Sequence, residues 1–209
     1  MQKGRFITFE GGEGTGKSTQ IKLLAHALEE RGISVLTTRE PGGSSGAEKI
    51  RELLVKGEPN QWDPLTEALL FLAARRDHVE KVIKPALKKG QWVISDRYHD
   101  STVTYTGYGH GVDLKTLEKL YTLIIGDFTP DKVIILDIDP HVGLSRAVER
   151  GGEEDRIEKK GLAFHKKVRE GYLTLASHDS EHYVVISADQ SVETVHQAIL
   201  TKLKRFIFG

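Results

Sequence analysis

Short apolar runs alternate with longer amphipathic stretches along this chain of 209 residues. Five of the runs are rich in β-branched or aromatic residues and are short enough to be buried strands. These predicted strands cover residues 6–10, 33–38, 91–96, 132–139 and 183–187. Each is followed, directly or after a loop, by a helical pattern, so strands and helices are expected to alternate.

Apolar residues between the strands recur with the spacing of a helix. Ile21, Leu24, Ala25 and Leu28 lie at i, i+3, i+4 and i+7, and Gly32 follows as a helix stop. The other predicted helices cover residues 47–55, 64–89, 113–126, 140–150, 163–176 and 192–206. Right-handed crossovers between parallel strands place helices on both faces of a sheet. The pattern therefore predicts a three-layer α/β fold with a five-stranded parallel sheet, in one domain covering residues 1–209.

Two stretches carry finer expectations. Pro85 is expected to kink the long helix near its end. The wide apolar face of that helix holds Leu65, Ala68, Leu69, Leu72 and Ala73. Residues 101–108 are polar with interspersed aromatic side chains and are expected to lead into a flexible turn. The glycines that mark this turn are Gly107, Gly109 and Gly111.

Composition and charge exclude several classes of protein. Lys+Arg and Asp+Glu both number 30, so no net field draws the chain to nucleic acid or to an anionic membrane. Cysteine is absent, which excludes disulfides, thiolate metal sites and a cysteine nucleophile. No apolar run approaches the length of a membrane span, and the first residues lack the apolar region of a signal peptide. A cytoplasmic enzyme is expected.

The first strand leads into a phosphate-binding loop. The pattern G-x-x-x-x-G-K-[ST] runs from Gly11 to Ser18, between a strand and a helix, which is the context that a P-loop requires. Its backbone N–H groups and the helix N-terminus attract phosphate, Lys17 adds a positive charge, and the Ser18 hydroxyl is a ligand for Mg²⁺. The alternative is an ordinary glycine-rich turn. The loop residues expected to bind ATP are Gly11, Gly12, Glu13, Gly14, Thr15, Gly16, Lys17, Ser18 and Thr19.

Further candidates follow the predicted strands or share a helix face. Glu40 precedes a proline at the end of the second strand, and Asp96 ends the third strand, where it would hold Mg²⁺ through water or cap a helix. Phe71 and Arg75 lie four residues apart on the long helix and are expected to hold a flat base and a charge. The alternatives are a solvated glutamate at position 40, and a core aromatic beside a solvated arginine.

A charged segment with a glycine hinge, residues 151–156, follows the fifth predicted helix, which ends at residue 150. It is either a solvated linker or a mobile lid that brings arginines over the phosphates. The chain lacks the Asn-Lys-x-Asp stretch of GTPase switches, the protein-kinase motifs and the signature of transport ATPases. A small-molecule phosphotransferase is the class that remains.

Several motifs together resemble those of thymidylate kinases. They are the P-loop with its neighbours at 10–19, Thr-Arg-Glu-Pro-Gly-Gly at 38–43, Phe-Leu-Ala-Ala-Arg at 71–75, Asp-Arg-Tyr at 96–98, and residues 151–158. They occur in order over nearly the whole chain. The resemblance implies transfer of the ATP γ-phosphoryl group to dTMP, giving dTDP, with Mg²⁺ bound at Ser18 and Asp96. It also implies a homodimer that forms through helix faces.

The resemblance also implies individual roles. Arg75 and Arg97 would hold the acceptor phosphate with Arg51 nearby, while Phe71 would stack on thymine. The other residues expected at dTMP are Glu13 at the 3′-OH, Glu40 at Mg²⁺ or bound water, Pro41, Ser101 and Thr102 at the base, and Tyr105 beside the deoxyribose. Arg146 would stack on adenine.

The resemblance further implies which residues are catalytic. Gly14 stands where some family members carry a catalytic arginine, so this chain resembles the bacterial type, in which lid residues Arg150 and Arg156 take that role. The lid is expected at about 141–160. The predicted catalytic residues are therefore Arg150 and Arg156 together with Lys17, Arg97 and Asp96.

One departure from the pattern of the family concerns specificity for the base of the acceptor nucleotide. Thr106 replaces a glutamine that is common in relatives, which makes strictness for thymine uncertain. Because the acceptor phosphate is itself an anionic nucleophile, no general base is expected. A kinase for another nucleoside monophosphate and a regulatory P-loop ATPase are the alternatives.

Overall fold

Five parallel strands form one sheet at the centre of the molecule. The computed structural model describes residues 4–58, 60–151 and 156–208, apart from the side chains of Arg150 and Phe208. The strands are β1 (Phe6–Glu10), β2 (Val35–Arg39), β3 (Trp92–Asp96), β4 (Lys132–Asp137) and β5 (Tyr183–Ser187), in the order β2-β3-β1-β4-β5. The predicted sheet is confirmed. β4 ends two residues earlier than expected, because the Asp139 side chain caps the next helix.

Helices cover both faces of the sheet. They are α1 (Lys17–Glu29), α2 (Ser45–Val55), α3 (Pro64–His78), α4 (Lys84–Lys88), α5 (His99–Thr102), α6 (Leu114–Ile125), α7 (Pro140–Arg150), α8 (Leu162–His178) and α9 (Val192–Phe208). One core lies between the sheet and α1 and α9, and holds residues such as Phe9, Leu24 and Ile199. A second core packs Phe6 against Leu72 and neighbouring residues. Within the described residues, no helix is both long and apolar enough to cross a membrane.

The predicted long helix is continuous in path but changes its winding. A π-helical segment, Val79–Ile83, separates α3 from α4, immediately before the turn that contains Pro85. Proline lacks an N–H and its ring crowds the preceding turn, so regular α-helical bonding cannot pass through it. The winding defect therefore falls one turn before the position at which the kink was expected.

The turn that Gly107, Gly109 and Gly111 were expected to mark begins later than predicted, at His110 and at Gly111, whose φ is 78°. α5 continues into a second π-helical segment, Val103–Gly109, whose residues 104–107 are buried. The glycines here serve close packing, because a Cβ at Gly109 would lie 2.5 Å from the Phe164 ring and one at Gly107 would lie 2.4 Å from Leu114. Tertiary contact with α6 and α8 thus imposes a helix on a sequence without helical periodicity.

The apolar face of α3 divides into two. Ala68 and Leu72 are buried, as expected, but Leu65 and Leu69 are 40% and 43% exposed and Ala73 is also exposed. The second half of the face therefore points away from the core of this chain.

Candidate active site

The P-loop connects β1 to α1 at the carboxyl edge of the sheet. Gly16 has a φ of 86° and stands at the N-cap of α1, so the helix N-terminus faces the loop. Gly14 has a φ of +65°, and a Cβ there would lie 2.0 Å from the carbonyl oxygen of Gly143 in α7. Both the backbone angle and the contact exclude a side chain at position 14. In this structure the close approach of α7 leaves no room for an arginine side chain at position 14.

Lys17 lies folded over the loop. It is buried, and its Nζ donates to the carbonyl oxygens of Gly12 at 2.8 Å and Gly11 at 3.2 Å. Burial and the neighbouring charge of Arg97 lower the pKa of Lys17 to about 8, although Asp96 and Glu13 oppose this. An anion in the loop would favour the charged form.

The two predicted Mg²⁺ ligands meet. Ser18 Oγ donates to Asp96 Oδ2 at 2.9 Å, across the carboxyl ends of β1 and β3. A hydroxyl and a carboxylate are hard oxygen ligands of the kind that Mg²⁺ prefers. Among the described residues, no group of three or more acidic, histidine or cysteine side chains is arranged to hold a metal ion.

Arg97 is the central cation of the site. Its Nη2 donates to Glu13 Oε1 at 2.7 Å, and its Nη1 donates to the Gly11 carbonyl at 3.0 Å. Tyr105 donates to the same Glu13 oxygen at 2.8 Å, with the guanidinium 5.1 Å from the Tyr105 ring. Burial alone would raise the pKa of Glu13, but the charges of Arg97 and Lys17 and the Tyr105 hydroxyl lower it to about 2. Glu13 is therefore a carboxylate at neutral pH.

Glu40 and Arg75 form a buried ion pair. Arg75 Nε donates to Glu40 Oε2 at 2.7 Å, and the other Glu40 oxygen lies 3.0 Å from His78 Nδ1. Four hydrogen bonds, to Glu40, to Thr102 (twice) and to the Tyr98 carbonyl, engage the Arg75 guanidinium. Because a guanidinium has five N–H groups, about one is left for a ligand.

This pairing bears on two expectations. Each oxygen of Glu40 is engaged by one protein group, which leaves lone pairs on both, so its predicted place at Mg²⁺ or bound water stays a prediction. Arg75 has about one N–H group left for a phosphate, and Arg97, which also makes four hydrogen bonds, is similarly engaged. Glu40 and Thr102 hold Arg75 rigidly at the wall of the cleft.

One cleft of about 730 Å³ brings most of the predicted residues together. Its walls include Arg39, which was not predicted to line the site, and Leu54, Val55 and Glu67 from α2 and α3. The predicted residues that line it are Glu13, Gly14, Thr15, Gly16, Lys17, Ser18, Thr19, Glu40, Pro41, Arg51, Phe71, Arg75, Asp96, Arg97, Ser101, Thr102, Tyr105 and Arg146. Gly11 and Gly12 line a hollow of about 20 Å³ on the other side of Glu13. The cleft is large enough for a drug-sized or larger ligand.

The predicted lid is only partly described. Residues 152–155 and the side chain of Arg150 lie outside the described residues. Arg146 lies at the rim of the cleft, 43% exposed, with Nη1 3.3 Å from the Ala188 carbonyl. A stacking surface for a base would be accessible there.

Arg156 does not line the cleft. Its side chain is fully buried, donates at 2.9 Å to the carbonyl oxygens of Leu54 and Glu58, and forms an ion pair with Glu67. The predicted catalytic role of Arg156 is therefore not supported by its position. The guanidinium anchors the start of the described segment at 156–160 to α2 and α3.

Thr106 lies outside the cleft. It is 1% exposed, and its hydroxyl has no hydrogen-bond partner among the described residues. The residue that raised doubt about thymine specificity is thus not at the wall that would face a base.

Two site residues have no role in the sequence-based prediction. Glu10, the last residue of β1, is fully buried beside the P-loop, and Tyr172 of α8 is in contact with it. An acid in the central strand of a buried sheet is itself a signal that could have been used. No local pattern indicates Tyr172, because 162 residues separate it from Glu10.

Comparison with known proteins identifies the family. A family model described as thymidylate kinase matches residues 9–199. The thymidylate kinase of Magnetococcus marinus is 48% identical over 206 residues, covering 99% of this chain and 98% of that protein. The one from Caulobacter vibrioides is 50% identical over 199 residues, covering 95% of each chain. A crystal structure of thymidylate kinase from Ehrlichia chaffeensis superposes with a TM-score of 0.78 at 37% identity, over 96% of this chain and 99% of that one. The chain belongs to the thymidylate kinase family.

Proposed function

We propose that this protein transfers the γ-phosphoryl group of ATP to dTMP and releases dTDP and ADP. Membership in the thymidylate kinase family supports this activity. The structural observation that carries it is a single cleft lined both by the P-loop and by the cluster of Arg97, Glu13 and Tyr105. One part suits a nucleoside triphosphate and the other a second anionic ligand.

ATP would occupy the P-loop side of the cleft. The loop N–H groups and Lys17 would bind its phosphates, and Arg146 at the rim would stack on adenine. Ser18 and Asp96 would hold Mg²⁺, which neutralises phosphate charge when it is bound. Their contact at 2.9 Å supports this pairing of ligands.

dTMP would occupy the opposite side. Arg97 would bind its phosphate, with Arg51 nearby, and Phe71 of α3 would stack on the base. The hydrogen bond from Tyr105 to Glu13 restrains the Tyr105 ring, which would lie beside the sugar. Arg75, Ser101, Thr102 and Pro41 complete the wall on this side.

The chemical step needs charge neutralisation rather than a base. The acceptor phosphate is already an anionic nucleophile, so Lys17, Arg97 and a lid arginine would lower the barrier by positioning and by offsetting negative charge. We assign the lid role to Arg150. The exclusion of a side chain at Gly14 and the burial of Arg156 against Glu67 support this choice over the alternatives.

A homodimer is the proposed assembly. Leu65, Leu69 and Ala73 of α3 are exposed, Leu69 and Ala73 line a hollow together with Ile124 of α6, and the next residue on α6, Leu123, is 82% exposed. We call these residues together the α3–α6 surface. A second copy of the same surface would bury these side chains.

The test is a coupled assay of ADP formation with dTMP, dUMP, dGMP and dCMP as acceptors. The proposed function predicts the highest kcat/KM for dTMP. A higher value for another monophosphate would reassign the substrate, and ATP hydrolysis that does not depend on any acceptor would contradict the proposal.

A further inference from the structure

The carboxylate of Glu10 lies behind Arg97, where no substrate would touch it. Its Oε1 accepts a hydrogen bond from the Tyr98 backbone N–H at 2.7 Å. Its Oε2 accepts from Ser101 Oγ at 2.6 Å and from Tyr172 Oη at 3.0 Å. Burying a carboxylate is costly unless several donors compensate it, and this one has three.

The same two hydroxyl groups also contact Arg97. Arg97 Nη1 lies 3.1 Å from Ser101 Oγ and 3.3 Å from Tyr172 Oη, and its two hydrogen atoms are shared among these oxygens and the Gly11 carbonyl. A hydroxyl has a single hydrogen atom. If that hydrogen is donated to Glu10, the oxygen lone pairs are left to face the guanidinium. The two hydroxyl oxygens also lie 2.8 Å apart, so their two hydrogen atoms serve three contacts, two of them to Glu10. Glu10 thereby sets the direction of the Ser101–Tyr172 pair as a unit.

Glu10 also holds the backbone of the turn that carries Arg97. Arg97 has a φ of 69°, a left-handed conformation that is unfavourable for a residue other than glycine. The next residue, Tyr98, donates its N–H to Glu10, and Arg97 donates its own N–H to the Phe9 carbonyl at 2.9 Å. The end of β1 thus restrains both the backbone and the side chain of Arg97.

We propose that Glu10, acting through Ser101 and Tyr172, is a positioning residue that presents Arg97 to the acceptor phosphate. The inference rests on the proposed role of Arg97 in binding that phosphate. It adds Glu10 and Tyr172, which would touch neither substrate, to the machinery of the reaction.

Two variants test the proposal. In Glu10→Gln the amide oxygen would still face the Tyr98 N–H, so the NH₂ group would face Ser101 and Tyr172 and reverse their hydroxyl groups toward Arg97. In Tyr172→Phe only one hydroxyl is removed. Because a hydrogen bond to a charged group contributes about 1.5–3 kcal/mol, we expect KM for dTMP to rise about tenfold or more in each. KM for ATP should stay within about twofold.

Thr8→Val is the matched control, since Thr8 lies on the same strand, is buried, and its hydroxyl has no described partner. It should leave both KM values unchanged. Circular dichroism and thermal unfolding verify that each variant is folded. If Glu10→Gln does not fold, Tyr172→Phe alone decides the proposal.

The Arg97→Ala variant separates this proposal from the role of Arg97. If Arg97 acts as proposed, Arg97→Ala raises KM for dTMP, and adding Tyr172→Phe to it causes little further change. An unchanged KM for dTMP in Arg97→Ala would refute the role of Arg97. Two outcomes would overturn the positioning role and leave the role of Arg97 intact. In the first, Arg97→Ala raises KM for dTMP but Tyr172→Phe does not. In the second, Tyr172→Phe raises the KM values for dTMP and ATP equally.

Discussion

Lys17 is the residue for which position and chemistry agree most closely. It is buried over the P-loop and bonded to two loop carbonyl groups that an anionic ligand would compete with. Lys17→Met should lower kcat by about 100-fold or more, the usual effect of removing one preorganised electrostatic group. The exposed Lys22 on the same helix provides the control, and Lys22→Met should keep normal activity. Near-normal turnover by a folded Lys17→Met protein would contradict the assigned role.

Asp100 gives a pH dependence of known sign. Burial, followed by the charge of Glu10, raises its pKa to about 7. Because this pKa is higher in the native protein than in the unfolded chain, the stabilising contribution of the Asp100 carboxyl group is complete below about pH 4. That contribution is lost as the pH rises through about 7. The free energy of unfolding of Asp100→Asn minus that of wild type should therefore be larger at pH 8 than at pH 5.

Urea unfolding at several pH values measures this difference. Asp113→Asn is a suitable control, because hydrogen bonds from Thr116 lower the pKa of Asp113 and the group stays ionised over this range in both states. An Asp100→Asn protein whose difference from wild type is the same at pH 5 and pH 8 would refute the prediction.

The places of site residues were predictable where a motif is local in sequence. The spacing of the P-loop predicts its position after β1, and the end of a predicted strand predicts that of Asp96, whereas the resemblance to thymidylate kinases implied the place of Arg97. The partners of Glu10 were not predictable, because Tyr98, Ser101 and Tyr172 reach it from elements far along the chain. The pairing of Glu40 with Arg75 was missed for the same reason, since the two residues belong to different elements.

At the level of elements, Arg156 joins the segment at 156–160 to α2 and α3. Arg156→Gln or Glu67→Gln would leave one buried charge without its partner, which costs about 3–5 kcal/mol in the free energy of unfolding. The double variant should be less destabilised than the sum of the two. Urea unfolding and kcat are measured on all three proteins. A stable Arg156→Gln protein that loses activity about 100-fold would instead indicate that Arg156 acts at the phosphates of the bound nucleotides.

The strands and most helices were predictable because their periodicity is local. The region from His99 to Gly109 was not, since its helical winding depends on packing against α6 and α8 through glycines. Composition rich in glycine and threonine indicates a loop when it is considered alone. The π-helical turn before Pro85 is a similar case, in which the chain keeps its helical path and the local winding changes.

For the whole molecule, the α3–α6 surface predicts a dimer. Sedimentation velocity at micromolar concentration should give twice the chain mass of 23.3 kDa. Leu69→Glu should shift this to the mass of a single chain, because it places a charge in an apolar contact. Leu173→Glu on α8, a similarly exposed position, should not. A wild-type protein that sediments as a monomer would rule out the assembly.

The central claim is that one cleft places ATP and dTMP in line for direct transfer. The most direct measurement follows nucleotides by ³¹P NMR with ATP and Mg²⁺ present, first without and then with dTMP. With ATP and Mg²⁺ but no dTMP, the account predicts that little ADP forms. Once dTMP is added, it predicts equal amounts of dTDP and ADP. ADP and inorganic phosphate at the same rate in both conditions, without dTDP, would contradict it.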